Sequence, residues 1–280
     1  MAAFRYVVCD VFTDTPLAGN QLGVFTDARG ISEETLQRLA RELNFSETTF
    51  VYPPEGGGHV RMRIFTPAAE LPFAGHPTLG TAFVLAAPLQ LGEIRIETGR
   101  GIVPVRLERE GARIVFGRME QPLPSIELYG QADELLAALG ISRSELPIEL
   151  YDNGMRHVYV ALPSLDAVAA LRPDRARLLA LGEVGVNCFA GEGARWKTRM
   201  FAPAHGVDED PATGSAAGPL ALHLARHGRI AFGDEIEIAQ GAEIGRPATL
   251  VALAEGSTDA VTRIEVGGSA VVVARGEFRL

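Results

Sequence analysis

The chain has 280 residues, 47% hydrophobic and 22% charged, which is enough for one large or two ordinary globular domains and too apolar for a disordered protein. Its 26 basic and 35 acidic residues give a formal net charge of −9 without a basic run. This charge excludes nucleic acid and an anionic membrane surface as expected partners.

The compartment is predicted from the cysteines and the apolar runs. Cys9 and Cys188 both lie in apolar stretches, which indicates two buried thiols in a reducing compartment rather than a disulfide. No apolar run approaches the roughly 18 residues that a membrane helix needs. The N-terminus has no signal-peptide pattern. We therefore expect a cytoplasmic protein.

The first half of the chain is predicted to contain two helices among short strands. The first helix has Ser32 as its N-cap, runs to Leu43 and stops at Asn44. The second runs from about Pro77 to Ala87, because proline suits a first helical position, and Pro88 follows its end. The strands are expected near residues 4–12, 22–26, 46–52, 60–66, 93–98, 101–108 and 112–118.

The second half follows a similar order after a crossover at residues 121–124. The segment Asp152-Asn153-Gly154 is a good hairpin turn. Helices are expected near residues 131–139, 164–171 and 216–227. Strands are expected near residues 147–151, 155–161, 184–190, 195–202, 235–239, 248–255, 261–266 and 270–275.

One motif occurs in both halves. A strand that ends in Phe65-Thr66-Pro67 leads to Pro72-Phe73-Ala74-Gly75-His76 and a helix. A strand that ends in Phe201-Ala202-Pro203 leads to Pro211-Ala212-Thr213-Gly214-Ser215 and a helix. This self-similarity predicts a duplicated architecture of two lobes.

The repeated glycines predict an anion-binding site. Helix N-termini expose unpaired N–H groups and the positive end of the helix dipole, and glycine lets a ligand approach the backbone. Gly75 and Gly214 could therefore hold a carboxylate, or the charge that proton abstraction develops, in a cleft between the two lobes. The alternative is that both glycines serve only tight turns.

Glu47 and His76 are the candidates for acid/base chemistry in the first half. Glu47 lies in the apolar and hydroxylic stretch NFSETTFV, where a poorly solvated carboxylate could shuttle protons. The alternative is a surface-facing glutamate on an alternating strand. His76 lies at the cap of the second helix and could donate to a ligand, or it could bond only to backbone.

Acidic and histidine residues of the second half leave more than one interpretation open. Among Asp208, Glu209 and Asp210, the last is nearest the Gly214-Ser215 turn and is the best candidate, although all three could serve only the helix dipole. His223 and His227 are four apart on a helix, which suits a metal less well than an ordinary helix face, because the H-E-x-x-H pattern is missing. We expect no metal site.

At these residues the chain resembles the PhzF family of phenazine-biosynthesis isomerases. The matching motifs are NFSETTFV (44–51), FTPAAELPFAGHPTLGTA (65–82) and EDPATGSAAGPLALHLARHG (209–228), and the similarity covers the whole chain. The resemblance implies an α+β class and the diaminopimelate-epimerase-like fold, with two pseudo-symmetric lobes that each wrap a mainly antiparallel sheet around a central helix. The expected lobes are residues 1–120 plus about 270–280, and residues 121–269, with the active site in the cleft.

The resemblance also implies an activity and roles for residues. The expected enzyme is a cofactor-independent homodimer that isomerises trans-2,3-dihydro-3-hydroxyanthranilate. Glu47 would be the acid/base that moves the proton. His76, Asp210 and Ser215 would bind and polarise the substrate, and Gly75 and Gly214 would present backbone N–H groups to it. Epimerases of this fold carry a catalytic Cys before each Gly, whereas this chain has Ala74 and Thr213, which excludes a two-thiol mechanism and favours a single carboxylate.

Two other functions remain open from the sequence. A related isomerase or epimerase would act on another small carboxylate with the same fold. A protein that only binds a small acid would hold its ligand without exchanging a proton.

Overall fold

The computed structural model describes residues 2–280. The strands are β1 (Ala3–Val11), β2 (Asn20–Phe25), β3 (Glu47–Tyr52), β4 (Val60–Phe65), β5 (Glu70–Leu71), β6 (Glu93–Thr98), β7 (Gly101–Glu110), β8 (Arg113–Gln121), β9 (Ser125–Leu128), β10 (Glu149–Asp152), β11 (Arg156–Ala161), β12 (Gly185–Glu192), β13 (Arg195–Ala202), β14 (Val207–Asp210), β15 (Glu235–Gln240), β16 (Ala248–Gly256), β17 (Val261–Gly268) and β18 (Ala270–Arg279). The helices are α1 (Glu33–Leu43), α2 (Gly75–Leu89), α3 (Ala132–Leu139), α4 (Leu165–Ala170), α5 (Arg175–Ala180) and α6 (Gly214–Arg226).

The chain divides into two compact units, one of residues 2–120 and 267–280 and the other of residues 121–266. In the first unit, β1 pairs antiparallel with both β18 and β2. The order then continues with β2–β3 parallel, β3–β4 antiparallel, β4–β6 parallel and β6–β7 antiparallel. The short strand β5 pairs with β4 just before α2 begins.

The second unit repeats this succession of pairings. β10–β11 is antiparallel, β11–β12 parallel, β12–β13 antiparallel, β13–β15 parallel and β15–β16 antiparallel. The short strand β14 pairs with β13 before α6 begins, as β5 pairs with β4. The duplication expected from the Phe-x-Pro motifs is therefore present in the topology, and the α+β class is confirmed.

Each unit buries one helix almost completely. In α6 every residue from Gly214 to Ala225 is buried, and α2 is buried from Gly75 to Phe83. Both helices are rich in Gly and Ala, whose small size lets a central helix approach the strands around it. At Gly80, an added Cβ would lie 2.7 Å from side-chain atoms of Leu22 and Val11, which shows how close that approach is. Within residues 2–280, none of the helices has the length and apolarity that crossing a membrane requires.

The structure corrects several expected boundaries. Both central helices begin two residues earlier than predicted, at Gly75 and Gly214. Proline is tolerated anywhere in a first turn, because none of the first four N–H groups has a helical partner, so Pro77 does not mark the start. Pro88 lies inside the last turn of α2 rather than beyond it. Ser32 occupies the N-cap of α1 but makes no capping hydrogen bond, since its hydroxyl contacts Thr35 Oγ1 at 2.8 Å instead.

Candidate active site

Glu47 and His76 lie against each other in the first unit. Glu47 is the first residue of β3, and His76 is the second residue of α2. Their side chains are 14% and 4% exposed, and Glu47 Oε2 lies 3.4 Å from His76 Nε2. The structure thus shows Glu47 as a mostly buried carboxylate that faces the central helix, and the surface-facing alternative is wrong.

Asn20 and Ser46 hold the other side of the His76 ring. Asn20, fully buried at the start of β2, has its Nδ2 3.2 Å from His76 Nδ1, and Ser46 Oγ donates to Asn20 Oδ1 at 3.0 Å. Burial lowers the pKa of His76 to about 3, against the opposing effect of a backbone hydrogen bond to Gln21. His76 is therefore a neutral imidazole near pH 7, so it places no positive charge beside Glu47.

The first turn of α2 has N–H groups without a side-chain cap. Its N-cap is Ala74, in extended conformation, and the turn contains no acidic residue. Thr78, the one hydroxyl residue of this turn, donates backwards to Ala74 O at 2.8 Å. The N–H groups beside Gly75 thus point out of the helix start, as an anion-binding terminus requires.

Two of the three clustered acids of the second unit are neutralised by arginine. Asp208 Oδ1 accepts from Arg175 Nε at 2.6 Å, and Glu209 accepts from both ends of the Arg199 guanidinium at 2.8 and 2.7 Å. Asp210 is 6% exposed and accepts from Thr213 Oγ1 at 2.6 Å. Of the three, only Asp210 joins the residues that lead into α6.

Gln240 holds the segment from Asp210 to Thr213 with three hydrogen bonds. Its Nε2 donates to Asp210 O at 2.8 Å and to Thr213 Oγ1 at 2.9 Å. Its Oε1 accepts from Thr213 N at 3.1 Å. Gln240 is the last residue of β15 and is 3% exposed, so a sheet residue fixes the approach to α6.

The first turn of α6 is held by side chains from other elements. Pro219 has no N–H for Ser215 O, the carbonyl four residues earlier, and Asn153 Nδ2 donates to that oxygen at 2.9 Å. Gln121 spans two backbone groups that a regular helix would join: its Nε2 donates to Gly214 O at 2.9 Å and its Oε1 accepts from Gly218 N at 3.1 Å. Like α2, α6 has no side-chain cap and no acid in its first turn.

The Ser215 hydroxyl contacts a buried histidine. His157 Nε2 lies 3.0 Å from Ser215 Oγ, with the two residues 0% and 5% exposed. Burial, together with nearby His205, lowers the pKa of His157 to about 3 despite the opposing charge of Asp152. A neutral imidazole therefore serves as the partner of Ser215.

A second cluster occupies the other end of α6. Ligand-type atoms of Glu149, His223 and His227 all lie within 4.8 Å of one another, which is a spacing that metal ligands share. Arg226 Nη1 and Tyr151 OH also contact Glu149 Oε2, at 3.1 and 2.9 Å. Burial alone would raise the pKa of Glu149, but hydrogen bonds from both histidines and Tyr151 and the charge of Arg226 lower it to about 2. Arg226 thus already supplies a positive charge to this carboxylate.

Other expected features lie apart from these contacts. A surface groove of about 740 Å³ in the first unit is lined by residues between Glu55 and Ile102 and includes none of the six candidate site residues. Cys9 and Cys188 are buried and unbridged, as the sequence indicates, and burial raises the pKa of each thiol.

The structure therefore groups the six candidates as two sets. Glu47, Gly75 and His76 lie together in the first unit, and Asp210, Gly214 and Ser215 lie together in the second. The sequence interpretation missed the residues that support them, which lie far away in the chain: Asn20, Gln121, Asn153, His157 and Gln240.

The chain matches a family model described as phenazine biosynthesis-like protein (PhzC-PhzF) over residues 9–276. It is 54% identical to a trans-2,3-dihydro-3-hydroxyanthranilate isomerase of Pseudomonas chlororaphis over 276 residues, which are 99% of each chain. The protein of the same name from Pseudomonas fluorescens is 52% identical over the same share of both chains.

Solved structures show the same fold. A PhzF-family phenazine biosynthesis protein of Bacillus anthracis matches with a TM-score of 0.85 and 28% identity, covering 100% of both chains. A hydroxyproline epimerase of Agrobacterium vitis matches with a TM-score of 0.67 and 11% identity over 98% of this chain and 92% of its own, a likeness of fold alone.

Proposed function

This chain belongs to the phenazine biosynthesis-like (PhzC-PhzF) family, and from that membership we propose that it is an isomerase of trans-2,3-dihydro-3-hydroxyanthranilate. The observation that supports this substrate is the 54% and 52% identity to two isomerases of that name over 99% of each chain. Relatives at 31 to 36% identity are named only as uncharacterized isomerases, so substrate identity follows from the higher similarity.

The proposed chemistry is a proton shift within one ring. Glu47 takes the proton from the carbon that bears the hydroxyl, the electron pair moves into the ring, and the same carboxylic acid returns the proton to another carbon on the same face. No atom is gained or lost and no oxidant is needed, so the reaction requires no cofactor. A mostly buried carboxylate beside a neutral imidazole suits a group that must first be a base and then an acid.

The other residues hold the substrate while the proton moves. His76 contacts Glu47 and, in this proposal, polarises the substrate beside it. The uncapped first turns at Gly75 and at Gly214 and Ser215 offer N–H groups to the carboxylate or to the developing enolate oxygen. Asp210, held by Thr213, would accept a hydrogen bond from a donor group of the substrate. That both helix starts serve one substrate in a cleft remains a prediction.

The assembly and compartment are part of the proposal. We expect a cytoplasmic homodimer, which light scattering after size-exclusion chromatography would report as twice the 29.9 kDa chain mass. A monomer at micromolar concentration would contradict the dimer and leave the activity to be tested separately.

The activity is tested with purified protein and trans-2,3-dihydro-3-hydroxyanthranilate. We expect substrate loss and new absorbance from condensed product in proportion to the enzyme added. A panel of other small cyclic carboxylates serves as the comparison. If the enzyme turns over one of these but not trans-2,3-dihydro-3-hydroxyanthranilate, the result would favour the related-isomerase alternative. Tight binding of the substrate without any turnover would favour a binding protein and would overturn the proposal.

A further inference from the structure

The contact between His157 and Ser215 has a direction, which neighbouring groups determine. His157 lies on β11 between Tyr151 of β10 and Gly185 of β12, in the interior of the second unit. Its Nε2 faces Ser215 Oγ at 3.0 Å. The question is which of these two atoms supplies the proton, because a serine hydroxyl can donate or accept.

The side chain of Asn187, which lies beside His157 Nδ1, determines which atom supplies the proton. Its Nδ2 donates to Gly185 O at 3.1 Å and lies 3.5 Å from Val158 O, so the NH₂ end of the amide faces carbonyl oxygens. The same nitrogen lies 3.4 Å from His157 Nδ1. An NH₂ group has no lone pair to accept a hydrogen bond, so Nδ1 must present its own lone pair to Asn187.

The proton of the neutral ring therefore lies on Nε2. Burial keeps the imidazole uncharged near pH 7, and a neutral imidazole carries one N–H. With Nδ1 unprotonated, Nε2–H donates to Ser215 Oγ. The serine O–H cannot then point at Nε2, so it turns toward a different acceptor.

We propose that His157, oriented by Asn187, is a positioning residue that commits the Ser215 hydroxyl to donate its hydrogen bond to a negatively charged oxygen of the substrate. This inference rests on the proposed function, which places the substrate at Ser215. The uncapped N–H groups of the α6 start are donors as well, so the turn offers several donors together. Such a turn favours a carboxylate or enolate oxygen over a ligand that offers an N–H or O–H at that position.

The tautomer can be measured in the ligand-free protein, independently of any activity. In ¹⁵N NMR of histidine-labelled protein, we expect His157 Nδ1 in the unprotonated range and Nε2 in the protonated range, unchanged between pH 6 and 8. The signals are assigned by their loss in His157→Gln. A proton on Nδ1, or a titration in that pH range, would overturn the inference even if the enzyme is fully active.

Two substitutions of His157 separate the direction of the hydrogen bond from mere packing. His157→Gln keeps an N–H donor near the former Nε2, whereas His157→Leu removes it. We expect His157→Leu to weaken binding of 3-hydroxyanthranilate, an aromatic analogue that cannot isomerise, by about tenfold, the effect of one charge-assisted hydrogen bond. The Gln variant should recover most of that affinity. Equal affinity of Leu variant and wild type would contradict the proposal.

A change at Asn187 reverses the direction without touching the serine or histidine. Asn187→Asp replaces the NH₂ with an acceptor, which should move the proton to Nδ1 and make Nε2 accept from Ser215. The NMR signals should exchange roles, and the affinity for the carboxylate should fall relative to the matching carboxamide analogue. Tyr159→Phe is the matched control, since it removes a hydrogen bond to Ala216 O in the same turn and leaves the Ser215 contact intact. If Tyr159→Phe loses carboxylate preference as strongly, the effect is packing and the proposal fails.

Discussion

Glu47 lies beside a neutral imidazole, that of His76. An imidazolium at 3.4 Å would attract the carboxylate charge and make the group a weaker base, but burial holds His76 neutral. Asn20 and Ser46 orient the histidine ring from its other side, so the pair is arranged before any substrate arrives.

Replacing Glu47 tests its assigned role. We expect Glu47→Gln to lower kcat at least about 100-fold, because general acid/base catalysis typically contributes that much, while the dissociation constant for 3-hydroxyanthranilate changes only a few-fold. Steady-state kinetics and calorimetry give the two values. Glu34→Gln, at a carboxylate that is 84% exposed on α1, is the control and should behave as wild type. A Glu47→Gln enzyme with wild-type kcat would remove Glu47 from the mechanism.

Motif spacing predicted Glu47, Gly75, His76, Asp210, Gly214 and Ser215 but none of their supporting residues. The six lie in three short motifs, each of which contains its own local signal. Asn20 and His76 are 56 residues apart, and Gln121 and Gly218 are 97 apart. A single asparagine or glutamine in a strand has no local pattern, so only the fold reveals what it contacts. Asn153 lies in a predicted hairpin turn, and that pattern does not indicate that its side chain donates to Ser215 O.

The first turn of α6 is completed by hydrogen bonds from side chains of other elements. Pro219 deprives Ser215 O of its helical donor, and side chains of Asn153 and Gln121 complete the hydrogen bonding. A first turn anchored by side chains is held at a defined position relative to the strands that carry them. The sequence showed the proline but not the groups that compensate for it.

Gln121 should be important for stability although it contacts no substrate. Gln121→Ala leaves Gly214 O and Gly218 N without their side-chain partners in a buried site, which costs about 2 kcal/mol, or several degrees in Tm. Thermal unfolding followed by circular dichroism measures the shift. The neighbouring exposed residue Glu120 provides the control, since Glu120→Ala should change Tm little. A Tm of Gln121→Ala equal to that of wild type would show that the α6 turn does not depend on it.

Glu149, beside the C-terminal end of α6, makes a pH-dependent contribution to the free energy of unfolding. The pKa of Glu149 is lowered to about 2 in the folded protein, below its ordinary value of 4.5, so its contribution is full above about pH 4.5 and is lost as pH falls toward 2. We expect Glu149→Gln to reduce the free energy of unfolding by about 2–3 kcal/mol at neutral pH, because it breaks a largely buried network. The difference from wild type, measured by urea unfolding, should shrink as the pH is lowered through that window. A difference that stays constant down to pH 2 would disprove the lowered pKa.

In the molecule as a whole, the two units share one arrangement of paired strands and a buried helix but differ in the side chains near the helix starts. Both units have the same order of strand pairings and a buried helix that starts with glycine. The repeated motif predicts this arrangement from the sequence, but both central helices begin two residues before the predicted Pro77 and Ala216. Short elements such as α5, β9 and β14 were missed, because four to six residues carry too little periodicity to recognise.

The difference between the units indicates a single base. Strand β3 of the first unit begins with Glu47, whereas β12, which has the same place in the second, begins with Gly185. Both cysteines of the chain, Cys9 and Cys188, are buried, and the residues directly before the two helix starts are Ala74 and Thr213. These differences support the proposal that one carboxylate, Glu47, removes the proton and returns it.

The most direct test of this account is the isomerisation of trans-2,3-dihydro-3-hydroxyanthranilate in heavy water by wild type and by Glu47→Gln. We expect wild-type protein to form product with deuterium at one ring carbon, to the extent that the Glu47 proton exchanges with solvent. We expect Glu47→Gln to bind the substrate but to yield neither product nor labelled substrate. Product formation with the same labelling by Glu47→Gln would contradict it, and so would substrate that wild-type protein binds and returns unchanged.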